Sequence, residues 1–319
     1  MHFDLDASQR DFAASIDGAL TAADVPAAIR AWSTGDTGPG RKVWATLADL
    51  GVTALAVPED YDGIGAHPVD LVVAAERLGR FGVPGPVTES IAVAPILLAG
   101  DDRGAALASG ELVATVAMPP HVPRAVDADT AGLILLAVDG GVRDGRAGEQ
   151  HRSVDPARRL FDVTGSGAVQ KTDTATAFEF GALATAAQLI GAAQAMLDGS
   201  VEYAKQRSQF GRIIGSYQAV KHRLADVHIA VDLARPLVYG AALSLGDASP
   251  NTARDVSAAK AAAGDAALLA ARTSLQVHGA IGYTQEHDLS LLLLRVQALR
   301  SAWGDPTWHR RRVLEALAS

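Results

Sequence analysis

Apolar positions divide the chain into three stretches of different period. In the first, Leu5, Phe12, Ile16 and Leu20 recur at roughly helical spacing. Trp44, Leu47 and Leu50 do so again in W-A-T-L-A-D-L-G, where Gly51 predicts a C-terminal stop. V-P-E-D-Y-D-G-I-G-A (57–66) has the Pro, Asp and Gly content of a loop, and V-D-L-V-V-A-A-E-R-L-G restarts a helix. Between about 108 and 178 the pattern changes: L-V-A-T-V-A-M and G-L-I-L-L-A-V predict short buried strands and R-R-L-F-D-V-T-G a weaker third. P-P-H-V-P and V-D-G-G-V-R-D-G-R-A-G read as the connections between them. From about 181 long apolar stripes return. Leu189, Ala193, Met196, Leu197, Val201 and Ala204 mark one helix, and Val220, Leu224, Val227, Val231, Ala234 and Val238 the next. An alanine-rich third helix runs from about Ala253 to Leu275. Helices of this length predict an antiparallel bundle. The expected fold is mainly α with a small β domain: an N-terminal helical domain over 1–107, a reduced middle β domain over 108–180 and a C-terminal helical bundle over 181–319.

Composition narrows the classes without choosing among them. With 319 residues, 49% hydrophobic and 20% charged, the chain can build a sizeable core and is too apolar for disorder. A net charge of −8 argues against a broad basic face for nucleic acid. The absence of cysteine excludes a disulfide framework, a zinc thiolate site, an iron–sulfur cluster and a thiol nucleophile. The segment Met1–Asp6 is acidic and lacks a continuous apolar run, so no secretory signal is expected. The apolar runs 131–138 and 289–294 are too short to span a bilayer. The expectation is a cytoplasmic protein with no membrane and no nucleic-acid partner. Its nine histidines form no H-x-x-x-H pair, no metal site is expected, and R-R-R (310–312) reads as a solvated helix face.

Two breaks between bundle helices carry candidate chemistry. In R-S-Q-F-G-R-I-I-G-S-Y-Q-A-V-K-H-R-L-A-D (207–226), Arg207 offers a cationic fork suited to a pyrophosphate, and Phe210 an apolar plate. Gly211 and Gly215 allow close backbone approach. In Q-V-H-G-A-I-G-Y-T-Q-E-H-D (276–288), Gln276 can both donate to and accept from a nucleotide, beside a turn opened by Gly279 and Gly282. Taken singly, each stretch is better read as an ordinary helix end, and His278 and His287 as loop hydrogen-bonding residues.

Taken together and in order, R-x-x-F-G-x-x-I-G-x-x-Q-A-x-x-H-x-L-A-D followed by Q-x-H-G-x-x-G-Y-x-x-E resembles the C-terminal bundle of the acyl-CoA dehydrogenases. The N-terminal W-x-x-L-A-D-L-G-V-x-x-L-A-V-P-E-D-Y-x-G-x-G is similar to that family's first helical domain. The resemblance implies FAD lying across a subunit interface, with Arg207, Gln209 and Phe210 on its pyrophosphate and adenine side and Gln276, Gly279 and Ala280 continuing that wall. Ala280 replaces the glycine usual there. It further implies removal of an acyl-CoA α-proton by a carboxylate, departure of the β-hydrogen as hydride to the flavin, and onward passage of electrons to an electron-transfer flavoprotein.

Three departures from the family pattern matter. The family's T-E-P-x-A-G-S-D-like segment is replaced by M-P-P-H-V-P-R, and none of the four tryptophans (Trp32, Trp44, Trp303, Trp308) lies in the β segment. The family's usual base position falls on Trp303 in W-G-D-P-T-W-H-R, with Asp305 two residues away. The alternative base position on the first bundle helix falls on Gly181, two residues after Glu179. No catalytic base is assigned, and Asp305 stays a candidate whose other reading is a turn or cap aspartate. The combination resembles the smaller, degenerate subunit of heteromeric acyl-CoA dehydrogenases of the actinobacterial steroid-degrading type. In those a full-size subunit supplies the flavin-ring contacts and the base, giving a heterotetramer. Two alternatives remain: a self-sufficient enzyme with Asp305 or Glu179 as a displaced base, and a structural partner that binds nothing.

Overall fold

Asp6 opens the first helix, α1 (Ala7–Ala22), with a capping box: its carboxylate accepts the Gln9 N–H at 2.8 Å, and the Gln9 side chain accepts the Asp6 N–H at 3.2 Å. The computed structural model describes residues 4–318, so Met1–Phe3 of the acidic N-terminal segment lie outside the described residues. Helices α2 (Val25–Ser33), α3 (Gly38–Asp49) and α4 (Pro68–Phe81) each carry proline in the first turn, where no helical N–H is lost. A π-helical turn, Glu89–Val93, runs into the short α5 (Ala94–Leu97), and α6 (Arg103–Ala108) completes the N-terminal unit.

Five strands form one sheet: β1 (Ala114–Ala117), β2 (Ala125–Val126), β3 (Leu133–Val138), β4 (Gly141–His151) and β5 (Leu160–Lys171), in the order β1-β3-β4-β5-β2. Only the β1–β3 pair is parallel. Alternate residues face opposite ways. Val116, Leu135, Ala137 and Val142 join the main core, while Ala117, Ala125, Leu136 and Phe161 form a small second cluster on the other face. The expected strands correspond to β1, β3 and β5. Strand β4 occupies the stretch read as a Gly/Asp-rich connection: past Val142 it is largely exposed, so it lacks the buried apolar alternation that marks a strand.

The bundle begins at Thr174, ahead of the expected 181, because Asp173 caps α7 (Thr174–Gln206) by accepting the Thr176 N–H at 2.9 Å. A tight hairpin of β6 (Ser208–Gln209) and β7 (Arg212–Ile213) leads to α8 (Gln218–Gly246), followed by α9 (Thr252–His278), α10 (Leu289–Ser301) and α11 (Pro306–Ala318). The predicted stripes face inward: Met196, Val231 and Val238 are buried. Helices α4 and α7 touch backbone to backbone. A Cβ on Gly79 would collide with the Gln188 backbone, and one on Gly191 with that of Glu76, so both positions require glycine. Buried Glu76 ties the N-terminal unit to the bundle, accepting from Arg77 at 2.8 Å and from Arg235 and Tyr239 at 3.2 Å.

By length and composition α7 and α8 are each apolar enough to cross a membrane, a feature that uninterrupted apolar runs did not reveal. In α7, 83% of the most apolar window is buried within the fold, against 39% in α8. The difference appears as an exposed stripe of Ile229, Leu233 and Leu237 on α8.

Candidate active site: an open end and a closed end of the bundle

The two sequence motifs meet at one end of the bundle. Arg207 is the C-cap of α7, its N–H donating to the Tyr203 carbonyl at 2.9 Å, and one turn earlier Tyr203 stacks on His278 at 4.3 Å between ring centroids. His278 in turn shares its Nδ1 with the Ser274 carbonyl at 2.8 Å, and His287 Nδ1 accepts the Leu289 N–H at 3.1 Å. His287 thus bonds at the end of the second loop as expected, whereas the His278 hydrogen bond runs back into α9. Arg207, Gln209, Phe210, Gln276, Gly279 and Ala280 are all exposed. Phe210 stands 93% exposed at the hairpin tip, and Tyr283 74% exposed beside the second loop. Nothing lies within 4 Å of where a Cβ on Gly211 or Gly279 would stand, so both backbones are open to a ligand. Planar pairs, a cationic fork and free backbone suit a nucleotide.

The opposite end of α7 is filled. Trp303 is 1% exposed and packs on Gly181, where any Cβ would collide with its ring. The two positions at which the family would carry its base thus face each other, and an indole occupies the space between. Phe178 lies 5.9 Å from Trp303 and 5.4 Å from Trp308, and His121 stacks 4.1 Å from Trp308. Buried Lys260 fixes the preceding turn, donating at 3.1–3.2 Å to the carbonyls of Leu299, Arg300 and Gly304. Burial and then the neighbouring Lys260 push His309 down to about 3. Its Nε2 meets the Trp303 carbonyl at 2.9 Å, so the neutral ring donates there.

Both displaced-base candidates have carboxylates that are already engaged. Asp305 is exposed and caps α11, its Oδ1 accepting the N–H groups of Thr307 at 2.7 Å and Trp308 at 3.1 Å. The backbone donation from Trp308 holds its carboxyl below the usual range. Glu179 is buried and ion-paired with Arg312, one contact measuring 3.1 Å. Burial raises its affinity for a proton, and Arg312 opposes the rise. Arg312 is consequently not part of a solvated R-R-R face as expected. The buried carboxylate of Glu179 on α7, 133 residues away in the chain, draws this arginine inward.

One functional-looking group escaped the sequence reading. Glu89, 1% exposed in the π-helical turn, accepts from Trp303 Nε1 at 3.2 Å, and its Oε2 has no partner among the described residues. Its signal was a lone acid in the apolar run 83–98. A cavity of about 280 Å³ adjoins it, between the sheet and the end of α10. The strands also gather Glu149, His151 and Asp162, whose ligand atoms lie within 4.8 Å of one another. Asp162 is already engaged there by His151 at 2.9 Å and Arg124 at 3.1 Å.

Comparison with known proteins matches residues 6–105 to the acyl-CoA dehydrogenase N-terminal domain and residues 172–318 to the acyl-CoA dehydrogenase C-terminal domain. Acyl-CoA dehydrogenase IpdE2 of Mycobacterium tuberculosis is 33% identical over 301 residues, covering 92% of this chain and 91% of that protein. The chain belongs to the acyl-CoA dehydrogenase family. Among solved structures, the ChsE4-ChsE5 complex from Mycobacterium tuberculosis superposes with a TM-score of 0.86 at 24% identity, over 100% of this chain and 99% of that one. A Tcur3481-Tcur3483 steroid ACAD variant gives 0.87 at 21% identity, over 98% of both chains. These likenesses establish the fold. The family's members are oxidoreductases with FAD as cofactor. The sheet contains no tryptophan.

Proposed function

We propose that this chain is the smaller subunit of a heteromeric FAD-dependent acyl-CoA dehydrogenase, holding the adenosine and pyrophosphate side of a flavin whose ring lies in a full-size partner. The observation that carries the reading is Trp303. It occupies the base position and is wedged against Gly181, while the loops at the other end of the bundle stand free. In this arrangement Arg207 neutralises the pyrophosphate through its fork, Gln209 and Gln276 supply polar contacts, and Phe210 lies against the adenine side. Gly279 and Ala280 keep that wall low enough for close approach. With FAD bound, the β-hydrogen of an acyl-CoA leaves as hydride while a carboxylate of the partner takes the α-proton. The exposed stripe of Ile229, Leu233 and Leu237 supplies apolar surface for a subunit contact. A steroid-derived acyl group, an electron-transfer flavoprotein as acceptor, a heterotetramer and a cytoplasmic location belong to the same proposal. It draws support from the steroid ACAD and the two-protein complex among the structural neighbours.

Co-expression with a full-size acyl-CoA dehydrogenase tests it. The complex should be yellow and carry one flavin per pair of unlike subunits, and Arg207→Ala should release it. Two flavins per pair would mean that the short sheet holds a ring after all. A yellow, active homo-oligomer of this chain alone would overturn the proposal.

A further inference from the structure

The cavity of about 280 Å³ beside Trp303 has a chemistry of its own. Its body is apolar, with Val122, Val126, Leu160 and Ala302 among its walls. Its charged lining is dominated by Arg124, Arg152 and Arg158. Arg124 is held by Asp162 at 3.1 Å, but Arg158 is only 4% exposed, and while its backbone N–H donates to the Asp155 carbonyl at 3.0 Å, its guanidinium forms no hydrogen bond or ion pair among the described residues. It acts on Asp127 only through space: Oδ1 of that carboxylate is engaged by Arg159, through its backbone N–H at 3.0 Å and an ion pair at 3.4 Å, and Oδ2 has no hydrogen-bond partner among the described residues. A guanidinium this buried is strongly favoured by an anion that accepts its fork. The opposing wall carries Glu89, with one oxygen engaged by Trp303 and the other free.

We propose that this cavity is a binding site for a small organic carboxylate, its carboxyl paired with Arg158 and its body on the apolar walls. The proposal rests on the reading above in one respect: the flavin ring must lie in the partner, leaving this cavity to another ligand. A planar carboxylate matches the guanidinium fork in two parallel bonds. The volume of about 280 Å³ is ample for a short-chain acid. Inorganic phosphate would leave the apolar walls uncovered. Glu89 Oε2 is an acceptor, so a hydroxyl at the far end of the acid would add a bond there.

Calorimetric titration of butyrate into the full-length chain, with the partner present if the chain requires it, is the test, with butyramide and inorganic phosphate as the other arms. Saturable binding of butyrate, with butyramide and phosphate much weaker, is the expected result. Arg158→Met should weaken butyrate by about tenfold or more, the scale of a lost charge-assisted pair. Should that variant fail to fold, Val154→Trp on the cavity's exposed rim should block entry while leaving buried groups untouched. Equal binding of butyramide or phosphate, or butyrate binding unchanged in both variants, overturns the carboxylate site. Flavin content of the same samples separates the two readings. A chain that takes up FAD by itself overturns the subunit role and gives the cavity to the flavin, whereas a colourless chain that ignores butyrate overturns the carboxylate site alone.

Discussion

Phe210 and Trp303 both hold a bulky aromatic in the left-handed region of backbone space, at φ 52° and 56°. They lie at opposite ends of α7, Phe210 in the hairpin that follows it and Trp303 against Gly181 near its start. Trp303 is 1% exposed, hydrogen-bonded through its indole and its carbonyl, and ringed by Phe178, Gly181 and His309. Its surroundings over-determine the strained conformation. Phe210 is 93% exposed at the tip of a two-residue hairpin whose second tip residue, Gly211, also has positive φ. Such a turn favours Asn or Gly at its first position, and a phenyl ring left 93% exposed gains little packing among the described residues to offset the strain. In a packed core the surrounding contacts offset the strain. Strain kept on an exposed tip points to a ligand or partner outside the chain. One end of this bundle is closed by packing, and the other, on the proposed reading, is kept open for a ligand.

The largest effect that could break this contrast is at the closed end. Trp303→Ala removes the indole from a full pocket and leaves Glu89 with neither oxygen bonded, so it should destabilise the chain by about 3–5 kcal/mol in urea unfolding. A loss below about 1 kcal/mol would mean that the end is loosely filled, and the contrast would fail.

Acid should act on the same end. His309 binds its proton only near pH 3 in the folded chain and at about 6.5 when unfolded. Between those values the unfolded chain carries the extra proton, so the contribution of His309 to stability is full above pH 6.5 and declines as pH falls toward 3. The slope from this group reaches at most about 1.4 kcal/mol per pH unit. Melting curves of His309→Gln over that window should be flatter than those of the parent chain. Equal slopes would remove His309 as the cause.

How much of this contrast the sequence disclosed follows from which forces act locally. The helical stripes, β1, β3 and β5 were legible because burial imprints a period on apolar residues. Strand β4 was not, since its exposed Gly and charged residues are ordered by pairing with β3 and β5 rather than by a core. Arg207 and Gln276 could be singled out because their loops carry glycines at recognisable spacing, although only folding brings them together through Tyr203 and His278. The closed end depended on contacts between residues far apart in the chain. Glu89 meets Trp303 across 214 positions, and Arg312 meets Glu179 across 133. No local pattern encodes such pairs. Trp303 was legible as a missing base, but not as a plug.

The smallest expected effect is also the sharpest for the open end. Phe210→Asn places at the hairpin's first tip position a residue that tolerates positive φ, and removes a phenyl ring with no packing to lose. Core substitutions of Phe cost several kcal/mol, but this one should leave the chain's stability unchanged or raise it by about 0.5–1 kcal/mol. In the complex with a full-size partner the same change should loosen the flavin, because the ring's proposed role lies entirely across the interface. The two readouts must move in opposite directions: melting temperature level or up, flavin retained after desalting down. If Phe210→Asn lowers stability, the ring packs on something within the chain. If it leaves flavin retention untouched, the strained tip serves another purpose, and the open end has to be assigned to Arg207 and Gln276 without it.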